Sequence, residues 1–253
     1  MKEKRFGSSR IAVSFDEMGS KTGWYPQMRI KIFQMESSER TYGKKFSGIP
    51  KDGVDPSLYK NVYYGDVEAE NLEDVYRLFN TSRPMTHQGH SLSKSDVVEV
   101  CNENEDLVTP NGAYFVEDAG FEKIDFDSSK AQKQEGMRVV YVTPNNTPLD
   151  IRIRTDLRDL QNAVGGLIQP IDNDDGTVIV GNDEAKLIGM KGNRHLDYGG
   201  IIAGPFFVCG DAGEEFRSLT DEEAEKYMQK YAEPEEISDQ EVAGDMGFRI
   251  ISF

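Results

Sequence analysis

The stretch Ser128-Ser-Lys-Ala-Gln-Lys-Gln-Glu-Gly136, followed at once by Met137-Arg-Val-Val-Tyr-Val142, decides how the chain is divided. The first nine residues are polar and contain no large apolar side chain, which suits a segment between folding units. The next six are mostly apolar, as a strand entering a core should be. On each side lies a full set of strands and a helix. The expected fold is therefore α+β, with two small domains, each a mostly antiparallel sheet with one or two helices. The expected boundaries are an N-terminal segment over 1–27, a first domain over 28–127, the linker over 128–136, a second domain over 137–232 and an acidic C-terminal tail over 233–253. A chain of 253 residues can bury two such cores without metal or disulfide support.

Upstream of the linker, Met28-Arg-Ile-Lys-Ile-Phe33 alternates apolar and charged residues with period two, the pattern of a half-buried strand. A polar, glycine- and proline-rich loop over 36–57 leads to a second strand, Asn61-Val-Tyr-Tyr64. Asn71 is placed to cap a helix in which Leu72, Val75, Tyr76 and Phe79 fall at i, i+3, i+4 and i+7. Asp96–Cys101 and Ala113–Val116 read as hairpin partners across an acidic turn at 102–111, and Phe121–Phe126 as a further strand. A strand is also expected at Ile11–Phe15.

Downstream, Leu149-Asp-Ile-Arg-Ile-Arg154 alternates as the antiparallel partner of Met137–Val142. Thr155 is the expected cap of a helix carrying Leu157, Leu160 and Val164, with Gly165 where a left-handed C-cap belongs. Leu167–Ile171, Thr177–Val180 and Lys186–Ile188 read as short strands. The most apolar run, Ile201-Ile-Ala-Gly-Pro-Phe-Phe-Val-Cys209, reads as one central strand. Thr220 and Glu223 form a capping box ahead of an amphipathic helix with Ala224, Tyr227, Met228 and Tyr231 on its apolar face. The end, Phe248–Phe253, adds a last strand.

The net charge is −16, and −9 of it sits in residues 211–253. Gripping phosphates requires a positive surface, so direct nucleic-acid binding is not expected, whereas a basic protein partner suits the charge. No apolar run approaches the ~18 residues of a membrane span, and no apolar stretch follows Met1–Phe6, so a cytoplasmic protein without a membrane partner is expected. Cys101 and Cys209 lie in apolar runs and read as buried reduced thiols, with a disulfide or a reactive thiol as the alternative.

Several short patterns come close to catalytic motifs and miss. Gly89-His-Ser-Leu-Ser93 lacks the final glycine of a nucleophile elbow and the strand-then-helix setting it needs. Gly19-Ser-Lys-Thr22 lacks the spacing of a phosphate loop, Asp172-Asn-Asp-Asp-Gly176 has its glycine one position early for a calcium loop, and Gly199–Gly204 lacks the dinucleotide spacing. His87 and His90 are too few for zinc without carboxylates or His195, so neither a metal nor a cofactor is expected. Three sets of binding candidates remain. His90, Ser91 and Ser93 lie in a polar helix-to-strand connector. Asn182, Lys186, Asn193 and Arg194 lie in glycine-rich stretches suited to an anionic group. Glu222, Glu223 and Glu225 lie on the polar side of the last helix.

Residues 28 to about 126 resemble the YodL-like domain, through Arg29-Ile-Lys-Ile-Phe-Gln34, Asn71-Leu-Glu-Asp-Val-Tyr-Arg-Leu-Phe-Asn80, Gly89-His-Ser-Leu-Ser-Lys-Ser-Asp-Val-Val98 and Ala113-Tyr-Phe-Val-Glu-Asp-Ala-Gly-Phe121. Residues 137 to about 232 resemble the DUF3846 family, through Leu157-Arg-Asp-Leu-Gln-Asn-Ala-Val-Gly-Gly166, Asn182-Asp-Glu-Ala-Lys-Leu-Ile-Gly189, Asn193-Arg194 and Ile201–Gly210. Neither resemblance implies an established activity. Both imply a protein carried by conjugative or phage-like elements of anaerobic gut bacteria. The expectation is a non-catalytic interaction protein of a mobile element that binds a host or element protein, such as a basic DNA-handling protein, through an acidic surface. The alternative is a small-ligand module or enzyme with its site at the interdomain cleft or the Asn193-Arg194 loop.

Overall fold

The computed structural model describes residues 27–102 and 109–247. The expected strands at Ile11–Phe15 and Phe248–Phe253, the Gly19–Thr22 stretch and the middle of the acidic turn at 102–111 lie outside the described residues. The fold is α+β, with two sheet-rich domains whose named strands do not cross from one sheet to the other.

The first sheet is antiparallel, in the order β2-β1-β3-β4-β5. Its strands are β1 (Gln27–Met35), β2 (Tyr59–Glu68), β3 (Val97–Val100), β4 (Gly112–Glu117) and β5 (Gly120–Ile124). Alternation in β1 sends Met28, Ile30 and Ile32 to the face covered by α1 (Leu72–Thr81), where they meet Val75 and Phe79. Asn71 caps that helix as expected, its side chain accepting from the Asp74 N–H at 2.9 Å. On the other face, Phe33 and Met35 pack with Phe115 and Phe126 beneath Ile49, Val54 and Leu58 of the 36–58 loop. The charged members of β1 are held rather than solvated. Arg29 pairs with Asp66 at 2.8 Å and Lys31 with Glu99 at 2.9 Å, both on the side toward the second domain.

The second sheet runs β7-β6-β12-β9-β8, with β13 beside β12. These strands are β6 (Met137–Val142), β7 (Leu149–Ile153), β8 (Ile168–Asp172), β9 (Thr177–Asn182), β12 (Phe206–Asp211) and β13 (Phe216–Arg217). One face is covered by α2 (Leu157–Val164), through Leu160, Ala163 and Val164, and the other by α3 (Asp221–Lys230), through Ala224 and Tyr227. Gly165 is left-handed and the Thr220–Glu223 capping box is present.

Five local expectations need correction. The helix cap is Asp156, not Thr155, and it makes no side-chain capping bond. Leu157 is exposed, so it does not share the buried face with Leu160 and Val164. Lys186–Ile188 is a turn with Leu187 and Ile188 exposed, closed by the Ile188 N–H on the Glu184 carbonyl. The 201–209 run is two strands, β11 (Ile201–Ala203) and β12, because Gly204 at φ 72° and Pro205 turn the chain between them. Only β12 is central; β11 pairs with β10 (Gly192–His195), which the sequence presented as loop.

Residues expected as tail also make contacts. In α4 (Asp239–Gly247), Val242 is buried and packs, with Ile237, against Ala185, Ile201 and Ala203. Asp245 accepts from the Ile201 N–H at 3.1 Å and pairs with Lys186.

Arg194 lies at the centre of this half, 1% exposed. Its guanidinium donates to the Asn193 carbonyl and amide oxygen (2.9 and 3.0 Å), to the Asn146 carbonyl (2.8 Å) and to the Tyr231 carbonyl (2.9 Å). Tyr231 is the C-cap of α3, where a cation offsets the negative end of the helix dipole. One side chain thus ties β10, the β6–β7 turn and α3 together. Arg194→Ala leaves these carbonyls unpaired around a cavity and should lower stability by on the order of 3 kcal/mol in urea unfolding. Arg194→Lys should recover little, since a single ammonium cannot reproduce the planar fork; near wild-type stability in either variant contradicts this role.

Candidate functional site

The connector Gly89–Asp96 is built around a buried polar knot. Gln34 Nε2 donates to Asp96 Oδ2 at 2.9 Å and to the His90 carbonyl at 3.0 Å, while the His90 N–H donates to Gln34 Oε1 at 2.9 Å. Ser93 donates to Asp96 Oδ2 through its N–H (2.8 Å) and its hydroxyl (3.2 Å). A Cβ on Gly89 would collide with the Gln34 amide, so glycine is required for this approach. Of the three residues singled out in the sequence, Ser93 is part of the knot and the exposed His90 sits at its edge. Ser91 is exposed, and its hydroxyl makes no hydrogen bond among the described residues.

The Asn182, Lys186, Asn193 and Arg194 set does not open as one surface. Asn182 closes α2 on the Val164 carbonyl (3.3 Å) and accepts from the Glu184 N–H (2.8 Å). Asn193 is fully buried, donating to the Val142 and Gly204 carbonyls (3.1 and 2.7 Å). Lys186 pairs with Asp245, and Arg194 is turned inward as described. On α3, Glu222 and Glu225 are exposed. Glu223 holds both Arg217, at 2.7 Å, and the Thr220 N–H, at 2.9 Å; the Arg217 guanidinium lowers its carboxyl to about 2.

An open cleft lies between the domains. Nine polar linker residues do not hang free: the Gln132 N–H donates to the Tyr59 carbonyl (2.9 Å) and the Asn61 N–H donates to the Gln132 carbonyl (2.8 Å), extending the edge of β2. Gln88 spans both units, donating to the Glu135 and Arg152 carbonyls (3.0 Å each) and accepting from the Glu135 N–H (3.1 Å). Arg29 reaches Thr147 Oγ1 at 2.8 Å, and Tyr64 packs against the second core. These contacts leave a cleft of about 590 Å³ lined by Lys31, Tyr64, Lys133, Gln134, Arg138 and Arg152. Sequence reasoning named an interdomain cleft but none of these residues. Their convergence depends on the docking of two sheets, which no local pattern encodes.

Burial raises both thiols, Cys101 to about 11 and Cys209 to about 12, which makes them poor nucleophiles at neutral pH. Among the described residues no group of three or more His, Cys, Asp or Glu is placed to hold a metal ion.

Two titrating groups flank the connector. Burial pushes Asp96 up to about 6, whereas burial, with Arg83 and His90 nearby, pulls His87 down to about 4. As pH falls from 6.5 to 4 the unfolded chain takes up a proton that folded His87 refuses, so stability is lost. Over pH 6 to 4 folded Asp96 takes up a proton that the unfolded chain does not, so stability is gained. Each linkage is on the order of 2 kcal/mol. Relative to wild type, Asp96→Asn should therefore lose stability as pH drops from 6 to 4 and His87→Phe should gain it. Chemical denaturation at each pH decides, and curves parallel to wild type contradict the assignment. Ser91→Ala should shift stability by no more than about 0.5 kcal/mol by the same measurement.

No curated protein and no solved structure matches the chain. Family comparison places a YodL-like domain at residues 29–126, followed by a domain of unknown function, DUF3846, at residues 137–232.

Proposed function

We propose that the chain is a non-catalytic binding protein of a mobile element, which engages a basic, DNA-handling protein through the acidic face around α3. The observation that supports this reading is a run of exposed carboxylates without partners among the described residues: Glu214 and Glu215 in the turn before β13, Glu222 on α3, and Glu233 and Glu236 beyond it. Their neighbours Asp221, Glu223 and Glu235 lie against Arg138, Arg217 and His195, so the unpaired set carries most of the field. Such a field attracts a cationic surface over about 8 Å at physiological salt. The interruptions caused by paired carboxylates fit contact with a basic patch better than imitation of a continuous row of DNA phosphates.

The test uses Glu222→Lys/Glu225→Lys, because reversing Glu223 would also break the capping box. Crosslinking and mass spectrometry in extract of the native host identify the partner, and its association with the purified chain is then timed at low and physiological salt. The double reversal should slow association at least about fivefold and flatten its salt dependence. Equal rates for both proteins at both salt levels contradict the proposal.

A further inference from the structure

We infer that the interdomain cleft is a binding site for a small oxyanion-bearing molecule, a phosphate ester or a carboxylate. This is independent of the acidic face. The cleft's volume of about 590 Å³ falls within the range of small-molecule sites. Four cationic side chains line it against two carboxylates, Asp150 and Asp221, the reverse of the balance in the chain as a whole. Of the four cationic side chains on its walls, Lys31 is matched by Glu99, and Arg138 by Asp150 and Asp221. Two remain unmatched. Lys133 is exposed and has no partner among the described residues. Arg152 donates to the Gly136 carbonyl at 2.8 Å and has no carboxylate partner among the described residues.

Gln134, next to Lys133 in the connector and bonded to the backbone of Arg152 on β7, gives a second and independent indication. It is 8% exposed, and its Nε2 is closed off from solvent without an acceptor. The amide cannot simply be turned over, because its oxygen accepts from the Arg152 N–H at 3.3 Å. A buried donor left without an acceptor costs free energy that an incoming oxygen atom recovers. Two cations and one unsatisfied donor where the connector meets β7 form a set complementary to an oxyanion. The side chains of Gln132 and Lys133, exposed and without partners among the described residues, form the lip and must swing aside for a ligand to reach Gln134. Tyr64 and the Lys31 ammonium, 5.5 Å from its ring centroid, form the opposite side, available to the ligand's body.

The full chain is titrated with orthophosphate, malonate and adenosine 5′-monophosphate, followed by amide and side-chain-amide NMR shifts. At least one probe should give saturable shifts centred on Lys133, Gln134 and Arg152, including the Gln134 side-chain NH₂. Response to the two phosphate probes assigns a phosphate ester, and response to malonate a carboxylate. Lys133→Glu, at an exposed position that leaves folding intact, should weaken binding at least tenfold. Gln134→Glu keeps the acceptor for the Arg152 N–H but replaces the donor with a negative charge, and should abolish binding. No saturable shift with any probe, shifts centred elsewhere, or undiminished binding by Lys133→Glu overturns the inference.

Discussion

The backbone pairing of Gln132 with Tyr59 and Asn61 fixes how the two halves of this protein meet. Strand β2 is an outer strand of its sheet, and an unpaired edge of ten residues invites association with other chains. The connector covers part of that edge, supported by Lys60 between Glu36 and Glu135. Having been laid along β2, the chain enters β6 from a defined place. Gln88, Arg29 and Tyr64 then engage the second domain. The cleft is a consequence of this docking, since its walls come from β1–β2 on one side and β6–β7 on the other, with the connector between.

A second constraint organises the C-terminal half. Arg194 keeps its charge in the interior because carbonyl oxygens, including the end of α3, replace the water it gave up. Around it Asn193 ties β10 to β6 and to Gly204, and α4 closes over β11 through Val242 and Asp245. The acidic character of this half is thus divided. Asp245 and Glu223 serve the fold, while Glu214, Glu222, Glu233 and Glu236 project a field outward.

Elements with a strong local signal were legible in the sequence. Period-two alternation marked β1 and β7, and the Asn71 cap and the Thr220–Glu223 box marked α1 and α3, because a single side chain satisfies the first free N–H groups. What the sequence hid had no local signal. Strand β10 reads Gly-Asn-Arg-His and has no apolar alternation; it is buried because its polar groups bond inward. Helix α4 has Val242 as its one large aliphatic residue and includes Gly244, so no amphipathic stripe appears. Leu187 and Ile188 suggested a strand from composition, yet both are exposed. The cleft residues were unreadable for another reason: Lys133 and Gln134 look like ordinary linker, and Arg152 like the polar member of a strand, until two sheets bring them together.

Amide hydrogen exchange at Asn61 and Gln132 tests the docking of the connector most directly. If the connector is part of the folded unit, both amides should be protected to within about tenfold of interior β1 amides such as Ile32, and should be lost together with them on adding denaturant. Exchange of Gln132 and Asn61 at the rate of an unstructured peptide, while β1 stays protected, would show that the linker swings free and that the cleft has no fixed geometry.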